Sequence, residues 1–586
     1  MKLTQERNNL LTDFGKAMLI DRYLLKGETF QDLFARVGKY YSDDDAHAQR
    51  IYDYLSKNWF MAATPILANG GTDRGLPISC FLNEMEDSLQ SISDTWNENV
   101  WLASNGGGIG TYMGKVRSIN EEIKGKGFTS GIMPFIKVID SLTLAISQGS
   151  LRRGSAAVYI DISHPEIEEF IEIRRPTGGD LNRKCLNIHQ GVTIPDAFMQ
   201  AVETGAKWQL KSPATGKVIS EVSARDLWIK ILNARIETGE PYILFTDAVN
   251  RGRPEIQKKL GLEIKTSNLC SEITLPTGKD HLQNTRTAVC CLSSLNLEYY
   301  EEWEKDENFI PDIMRFLDNI LSDFIKKAPP EMKNAVYAAN RERSVGLGVM
   351  GFHSFLQSKM VPMEGVMAKS WNKRIFKHIK EQADKASILL AEEKGACPDA
   401  IDAGIMERFS NKIAIAPTAS ISVIAGNSSP GIEPYVANVF TQKTLSGSFV
   451  VKNKYLANLL AQKGKDLPDV WSSITTSHGS VQHLTFLSEE EKLVFKTAFE
   501  INQMWLVEHC ADRTPFICQA QSFNLFFHGN INKKELHISH FESWKKGIKS
   551  LYYCRSTSVQ RADTVSKFAD VTYAVTENGE DCIACQ

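Results

Sequence analysis

From Ala62 onward the chain is written in short apolar runs separated by amphipathic segments, and this alternation constrains the fold more than any other feature. Runs such as Ala157-Val158-Tyr159-Ile160, Gly191-Val192-Thr193-Ile194 and Lys412-Ile413-Ala414-Ile415-Ala416 are bounded by Gly, Pro and polar clusters, as buried strands are. Between them, residues 167–174 and 225–236 carry apolar side chains at helical spacing. Strands that alternate with helices predict an α/β fold with many parallel strands. Before Ala62 the texture differs: Leu11, Phe14, Ala17, Met18 and Ile20, then Ile51, Tyr54 and Leu55, recur at near-helical spacing. No repeat and no low-complexity linker divides the later region. The expected organisation is a helical N-terminal region over 1–62, one large α/β unit over 63–565, and a tail over 566–586. Residues 575–586 are short on apolar side chains, which predicts a mobile end.

The 586 residues would suggest about three or four domains unless one large barrel absorbs them. A formal net charge of -3 argues against general nucleic-acid binding, which wants a basic surface. The start, Met-Lys-Leu-Thr-Gln-Glu-Arg, has no apolar core for a secretory signal. No stretch approaches the roughly 20 apolar residues that span a bilayer. Eleven cysteines without a secretion signal predict reduced thiols, so a cysteine with a task is a redox or radical centre rather than a staple. The expectation is a cytoplasmic enzyme.

Two glycine-rich stretches invite a nucleotide reading. Gly346-Leu-Gly-Val-Met-Gly351 satisfies G-x-G-x-x-G, but the residues before it, Ala338-Ala-Asn-Arg-Glu-Arg-Ser344, do not form the hydrophobic strand that the dinucleotide fingerprint requires. Close helix packing through small residues is the expected explanation. Gly106-Gly-Gly-Ile-Gly110 fails the P-loop pattern, yet it still lets backbone approach a ligand closely.

Asn268, Cys270 and Glu272 stand at i, i+2 and i+4. On a strand all three would point to one face, and a strand is the expectation here. An amide, a thiol and a carboxylate aimed together supply a hydrogen-bonding group, a redox-capable atom and a base. Taken alone, such a triplet is most often a strand with an inert buried cysteine. Cys80 and Cys290 add two further thiols in strand-like settings, Leu76-Pro-Ile-Ser-Cys-Phe-Leu-Asn83 and Ala288-Val-Cys-Cys-Leu292. On a strand Cys291 points away from Cys290, which marks it as structural. Residues 413–416 lead into Pro417-Thr-Ala-Ser-Ile421, a small hydroxylated loop before a helix. Free N–H groups and the Thr418 and Ser420 hydroxyls there could hold a diphosphate or simply cap the helix. Cys582-x-x-Cys585 lacks the second pair that a zinc site needs and reads as a redox dithiol.

With these motifs in order, the chain resembles the large catalytic subunit of class I ribonucleotide reductase, from about residue 10 to the C-terminus. Asn268-x-Cys270-x-Glu272, Ser79-Cys80, Cys290, Pro417–Ile421, Gly431-Ile-Glu-Pro434, Tyr552-Tyr553 and Cys582-x-x-Cys585 carry the resemblance. It implies a ten-stranded α/β barrel that reduces ribonucleoside diphosphates to deoxyribonucleoside diphosphates. In that scheme a thiyl radical at Cys270 takes the 3′-hydrogen, Glu272 is the base, and Asn268 holds the developing carbonyl. Cys80 and Cys290 supply two electrons and become a disulfide. Thr64, Ser79, Gly108, Pro417, Thr418, Ala419, Ser420 and Ile421 would contact substrate. Tyr552 and Tyr553 would relay a radical from a separate metal-carrying small subunit, so no metal or cofactor is expected on this chain itself. Cys582 and Cys585 would return electrons from thioredoxin or glutaredoxin.

The resemblance also implies a homodimer with an effector site for ATP, dATP, dTTP or dGTP at Asp87, Ser88, Leu89 and Arg117. Lys124 stands where a second phosphate-binding arginine is usual, which keeps charge but loses bidentate geometry. Gly149-Ser-Leu-Arg-Arg-Gly-Ser155 would link effector to substrate choice, and the sequence leaves no room for an N-terminal ATP cone. An adenosylcobalamin-dependent reductase of the same fold is the first alternative, and the tyrosine pair argues against it. A nicotinamide-dependent dehydrogenase and a non-enzymatic thiol or zinc-binding protein are the others.

Overall fold

The apolar runs fold into strands whose order closes a barrel. The structure is a computed structural model and describes residues 1–78, 80–148, 152–175, 178–444 and 447–557. The strands Cys80–Glu84, Gly108–Tyr112, Ser155–Asp161, His189–Ile194 and Tyr242–Phe245 lie side by side in that order, all parallel. A second parallel set follows: Ala288–Asn296 pairs with Val345–Met350, and Leu347 bridges Ile413. Ile415 then bridges Gln521, and Leu525–Phe527 pairs with Cys554–Ser556. The two sets meet antiparallel at both seams, Ala288–Cys290 against Cys80–Leu82 and Ser550–Leu551 against Ile243–Leu244. Counted around the ring among the described residues this makes ten strand positions in two antiparallel halves, and the predicted barrel is found. Phe60–Ala62 adds an outer edge to Ser293–Leu295.

Helices cover the barrel as the periodicity predicts: 225–236 falls inside the helix Ala224–Thr238, and 167–174 begins the short helix Ile167–Ile171. The N-terminal segment forms helices Asp13–Arg22, Phe30–Tyr40 and Asp45–Ser56. Their starts are set locally: the Thr12 and Asp44 side chains accept backbone N–H groups, and Thr29 with Asp32 makes a capping box. Leu33, Val37, Ile51 and Leu55 bury the faces of these helices in the same core as the barrel. Tyr23 reaches from this layer to the hydroxyl of Thr64 at 3.0 Å, and so ties it to the mouth of the barrel. Among the described residues no helix is long and apolar enough to cross a membrane.

Candidate active site

Asn268, Cys270 and Glu272 do not lie on a strand. Leu269 and Cys270 form a turn, Ser271 has φ 65°, and residues 262–277 run as an irregular segment threaded through the barrel. The period of two that suggested a strand is therefore not a ladder. A left-handed residue between Cys270 and Glu272 breaks the alternation. Asn268, Cys270 and Glu272 are fully buried.

A buried loop must satisfy its backbone polar groups without water, and this one does so with long-range side chains. The Tyr159 hydroxyl donates to Asn268 O at 2.8 Å. Ser522 Oγ lies 2.7 Å from Cys270 O and 3.2 Å from Glu272 Oε2. Ala520 N donates to Glu272 O at 2.9 Å. The Asn268 carbonyl Oδ1 accepts Ile273 N at 3.1 Å, which closes the loop on itself. Two glycines make the fit possible. A Cβ at Gly110 would sit 2.0 Å from Ser267 O, and one at Gly191 would sit 2.2 Å from the Tyr159 ring. Gly110 thus admits the loop, and Gly191 admits the ring that holds it. The close approach expected of the Gly106–Gly110 stretch is made by the chain's own backbone.

Cys80 and Cys290 face each other as direct cross-strand partners on antiparallel strands. Opposed residues on such a ladder have Cα atoms about 4.5–5.5 Å apart, within the span that a disulfide bridges. Both are reduced here and fully or almost fully buried. The Asn268 amide donates to Cys80 Sγ at 3.9 Å, so the loop and the thiol pair share one chamber. Burial, reinforced by neighbouring Cys80, pushes the Cys290 thiol well above its usual pKa. At rest Cys290 is a neutral thiol.

The stretch 346–351 is explained by this chamber. It is mostly strand, Val345–Met350, and not the helix contact expected from small residues. A Cβ at Gly346 would meet Cys290 Sγ at 2.9 Å and Leu292 Cδ2 at 2.5 Å, and one at Gly348 would meet Ala414 O at 2.7 Å. The room these glycines leave is filled by protein atoms, so no dinucleotide cradle exists there.

Tyr552 brings its hydroxyl to 3.3 Å from Cys270 Sγ. Its ring is 4.3 Å from that of Tyr553, centroid to centroid, and Tyr553 is partly exposed. Sequence reasoning missed the groups around this pair. Tyr242, fully buried, packs against both rings at 4.8 and 5.2 Å. His189 Nδ1 lies 3.4 Å from the Tyr553 hydroxyl and 2.6 Å from Glu240 Oε1. Burial opposes charge on Glu240, but Arg174 and His189 outweigh it and hold its pKa below the usual value. Asn524 joins Tyr553 N, at 2.9 Å, to Glu433 of the Gly431–Pro434 motif, at 2.7 Å. Neither Tyr159 nor Ser522 carries a local signal, since each acts on a loop more than 100 residues away.

The loop 417–421 precedes the short helix Ile421–Ile424. Thr418 adopts φ 53°, and its hydroxyl accepts Gly431 N at 2.7 Å, which pins the loop to the Gly431 motif. Gly108 begins its strand beside Cys80, and Thr64 opens the helix Thr64–Asn69. Ser79 lies outside the described residues, as do 149–151 of the expected coupling loop and both tail cysteines, Cys582 and Cys585.

At the expected effector site Arg117 grips the Asp87 carboxylate through Nε at 2.9 Å and Nη2 at 2.8 Å. The Ser88 hydroxyl caps the helix Leu89–Ser104, and Leu89 is exposed. Lys124 stands apart on the exposed turn between Glu122 and Phe128.

Comparison with known proteins bears on the chain as a whole. The ribonucleotide reductase barrel domain matches residues 78–403 and 400–554, and the all-alpha domain of the same enzymes matches 9–75. The ribonucleoside-diphosphate reductase large subunit of Invertebrate iridescent virus 3 is 42% identical over 100% of this chain and 99% of its own. That of Arabidopsis thaliana is 30% identical over 98% of this chain and 82% of its own. The class Id ribonucleotide reductase alpha subunit of Actinobacillus ureae superposes with a TM-score of 0.84 at 34% identity, covering 95% of this chain and 99% of that one. Similarity that spans nearly the whole chain in sequence and in fold places it, without a choice of motif, in the ribonucleotide reductase large-subunit family, as a ribonucleoside-diphosphate reductase of class I.

Proposed function

We propose that Cys270 is the hydrogen-abstracting residue of this reductase and that Tyr552 is its immediate radical partner. The 3.3 Å contact between the Tyr552 hydroxyl and Cys270 Sγ carries this reading. A phenoxyl at Tyr552 takes the hydrogen atom of the Cys270 S–H and leaves a thiyl, which removes the 3′-hydrogen of the ribose. Glu272, beside it on the loop, accepts the 3′-OH proton, and Asn268 donates to the developing carbonyl. The 2′-OH takes a proton from the thiol pair and leaves as water, and at the end of the cycle Glu272 returns its proton to the 3′-oxygen and Cys270 its hydrogen to C3′. Cys80 and Cys290 give up two hydrogen equivalents and join through the disulfide that their register permits.

The substrate diphosphate binds at Pro417, Thr418, Ala419, Ser420 and Ile421, with Thr64, Ser79 and Gly108 completing the pocket. Effector triphosphates bind at Asp87, Ser88, Leu89, Arg117 and Lys124, across a homodimer. The oxidising equivalent enters through Tyr553 from a small, metal-bearing subunit. Electrons return through Cys582 and Cys585 from thioredoxin or glutaredoxin, in the cytoplasm. The helical region 1–62, the barrel 63–565 and the tail 566–586 divide these tasks. The test is turnover of a ribonucleoside diphosphate by the chain with its small subunit and thioredoxin. Formation of the 2′-deoxy product only with all three present is expected, and product without the small subunit would refute the radical route.

A further inference from the structure

Each sulfur of the Cys80–Cys290 pair meets a side-chain amide, Asn268 at 3.9 Å from Cys80 and Gln519 at 3.7 Å from Cys290, and the second of these, from a residue outside the motifs, is the more firmly fixed. Gln519 is fully buried on the barrel segment next to residues 413–415. Its backbone N donates to Ile413 O at 3.1 Å, and its backbone O accepts the buried Lys549 ammonium at 2.7 Å. Its side-chain amide is equally fixed. Oε1 accepts Thr274 N at 3.3 Å, and Nε2 donates to Val345 O at 3.1 Å. These two backbone groups settle which end of the amide is which. One N–H remains, and it points at Cys290 Sγ, 3.7 Å away.

An amide N–H stabilises a thiolate more than a thiol. Burial, then Cys80, push Cys290 toward the neutral form, and the hydrogen bond from Gln519 acts in the opposite direction. A disulfide opens by attack on one sulfur while the other leaves as thiolate along the same axis. The strand Val345–Met350 crowds the Cys290 sulfur: a Cβ at Gly346 would lie 2.9 Å from Cys290 Sγ and 3.2 Å from the Ala414 Cβ. Across Cys80 the neighbouring position is Gly108, which carries no side chain.

We infer that Gln519 is a positioning residue for the regeneration step, holding Cys290 as the leaving thiolate and so directing an external dithiol to Cys80. This rests on the disulfide step proposed above. The attacking thiolate bonds to Cys80 Sγ as the Cys80–Cys290 bond breaks. The electron pair goes to Cys290, which is then protonated. The second thiol of the reductant attacks its own sulfur in the mixed disulfide, frees Cys80 and completes the two-electron transfer.

The test uses the full chain carrying Cys582→Ser and Cys585→Ser, so that the tail cannot reopen the disulfide; this chain with Gln519 kept serves as the wild type for comparison. It is turned over once with substrate and small subunit in the absence of reductant. Reopening of the disulfide by dithiothreitol is then timed by alkylation and mass spectrometry. Gln519→Met keeps length and volume but has no amide, and Gln519→Glu keeps an acceptor for Thr274 N while placing an acid beside Cys290. Both should reopen more slowly, Gln519→Met by about tenfold, as expected when one charge-assisted hydrogen bond is lost. A monothiol caught by acid quench should sit on Cys80 in the wild type and move in part to Cys290 in Gln519→Glu, a change that loosened packing would not produce. Wild-type rates in both variants, or a wild-type adduct on Cys290, would overturn the role of Gln519 alone. Failure of the wild type to form the disulfide at all would overturn the disulfide step and this role with it.

Discussion

Gly110→Ala puts the threading of the Cys270 loop to a direct test. The added methyl would lie 2.0 Å from Ser267 O, 2.9 Å from Ser267 C and 3.0 Å from Asn268 Cα, all backbone atoms of the loop. No side chain can swing away to relieve such a contact. To restore ordinary van der Waals distance the loop must withdraw by about 1.4 Å, or the strand Gly108–Tyr112 must bend outward by as much. Overpacking of this kind costs about 1–3 kcal/mol of stability. The effect on chemistry should be larger. Tyr552 and Ser522 hold Cys270 from the other side of the barrel, so a displaced loop opens the 3.3 Å contact to Tyr552. A misplacement of about 1 Å in a reacting group lowers rate by about a hundredfold. The assay is turnover with the small subunit at saturating substrate, alongside thermal unfolding. Gly365→Ala is the control, because the nearest atom to its methyl is 3.9 Å away. Turnover of Gly110→Ala within a few-fold of the wild type would refute the argument that this glycine admits the loop.

Tyr552→Phe and Tyr553→Phe each remove one phenolic oxygen, at a cost of about 1 kcal/mol in stability, and should yield folded, substrate-binding chains without turnover; near-normal activity in either would make the pair ordinary core aromatics. Cys582→Ser with Cys585→Ser should stop thioredoxin-driven turnover while a small dithiol restores much of it, which a comparison of the two reductants measures. His353 is buried and its Nδ1 accepts Tyr435 N at 2.9 Å; burial lowers its pKa from 6.5 to about 3. A histidine with a depressed folded pKa contributes stability that is complete above the unfolded value and is lost as pH falls through 6.5 toward 3. From pH 7 to 5.5 this one group should remove about 1 kcal/mol. His353→Gln should therefore show a smaller fall in unfolding midpoint over that interval than the wild type, and an equal fall would contradict the assignment.

The barrel was legible because its strands keep the pattern that burial demands. The runs at 157–160, 191–194 and 412–416 lie in or beside ladder positions, and the helical periods fall where helices form. The pairing of Cys80 with Cys290 came from family resemblance, and the register bears out only that they meet. The conformation of 268–272 was not legible. An i, i+2, i+4 pattern fits a strand, and nothing nearby shows that Tyr159 and Ser522, far off in the chain, hold a turn instead. The glycines at 346 and 348 misled for the same reason. What a missing Cβ makes room for, here Cys290 and the Ala414 carbonyl, is known only once distant strands are side by side.

The central claim is that the Cys270 sulfur, and not the cavity around it, performs the chemistry. Cys270→Ser keeps a hydroxyl within reach of Tyr552 and alters the packing by one atom, but its O–H bond is too strong to yield the abstracting radical. The decisive measurement is deoxynucleotide formation by purified Cys270→Ser with the small subunit, together with equilibrium binding of the ribonucleoside diphosphate. Wild-type binding within a few-fold and no product above background are expected. Product at a measurable fraction of the wild-type rate would contradict the claim.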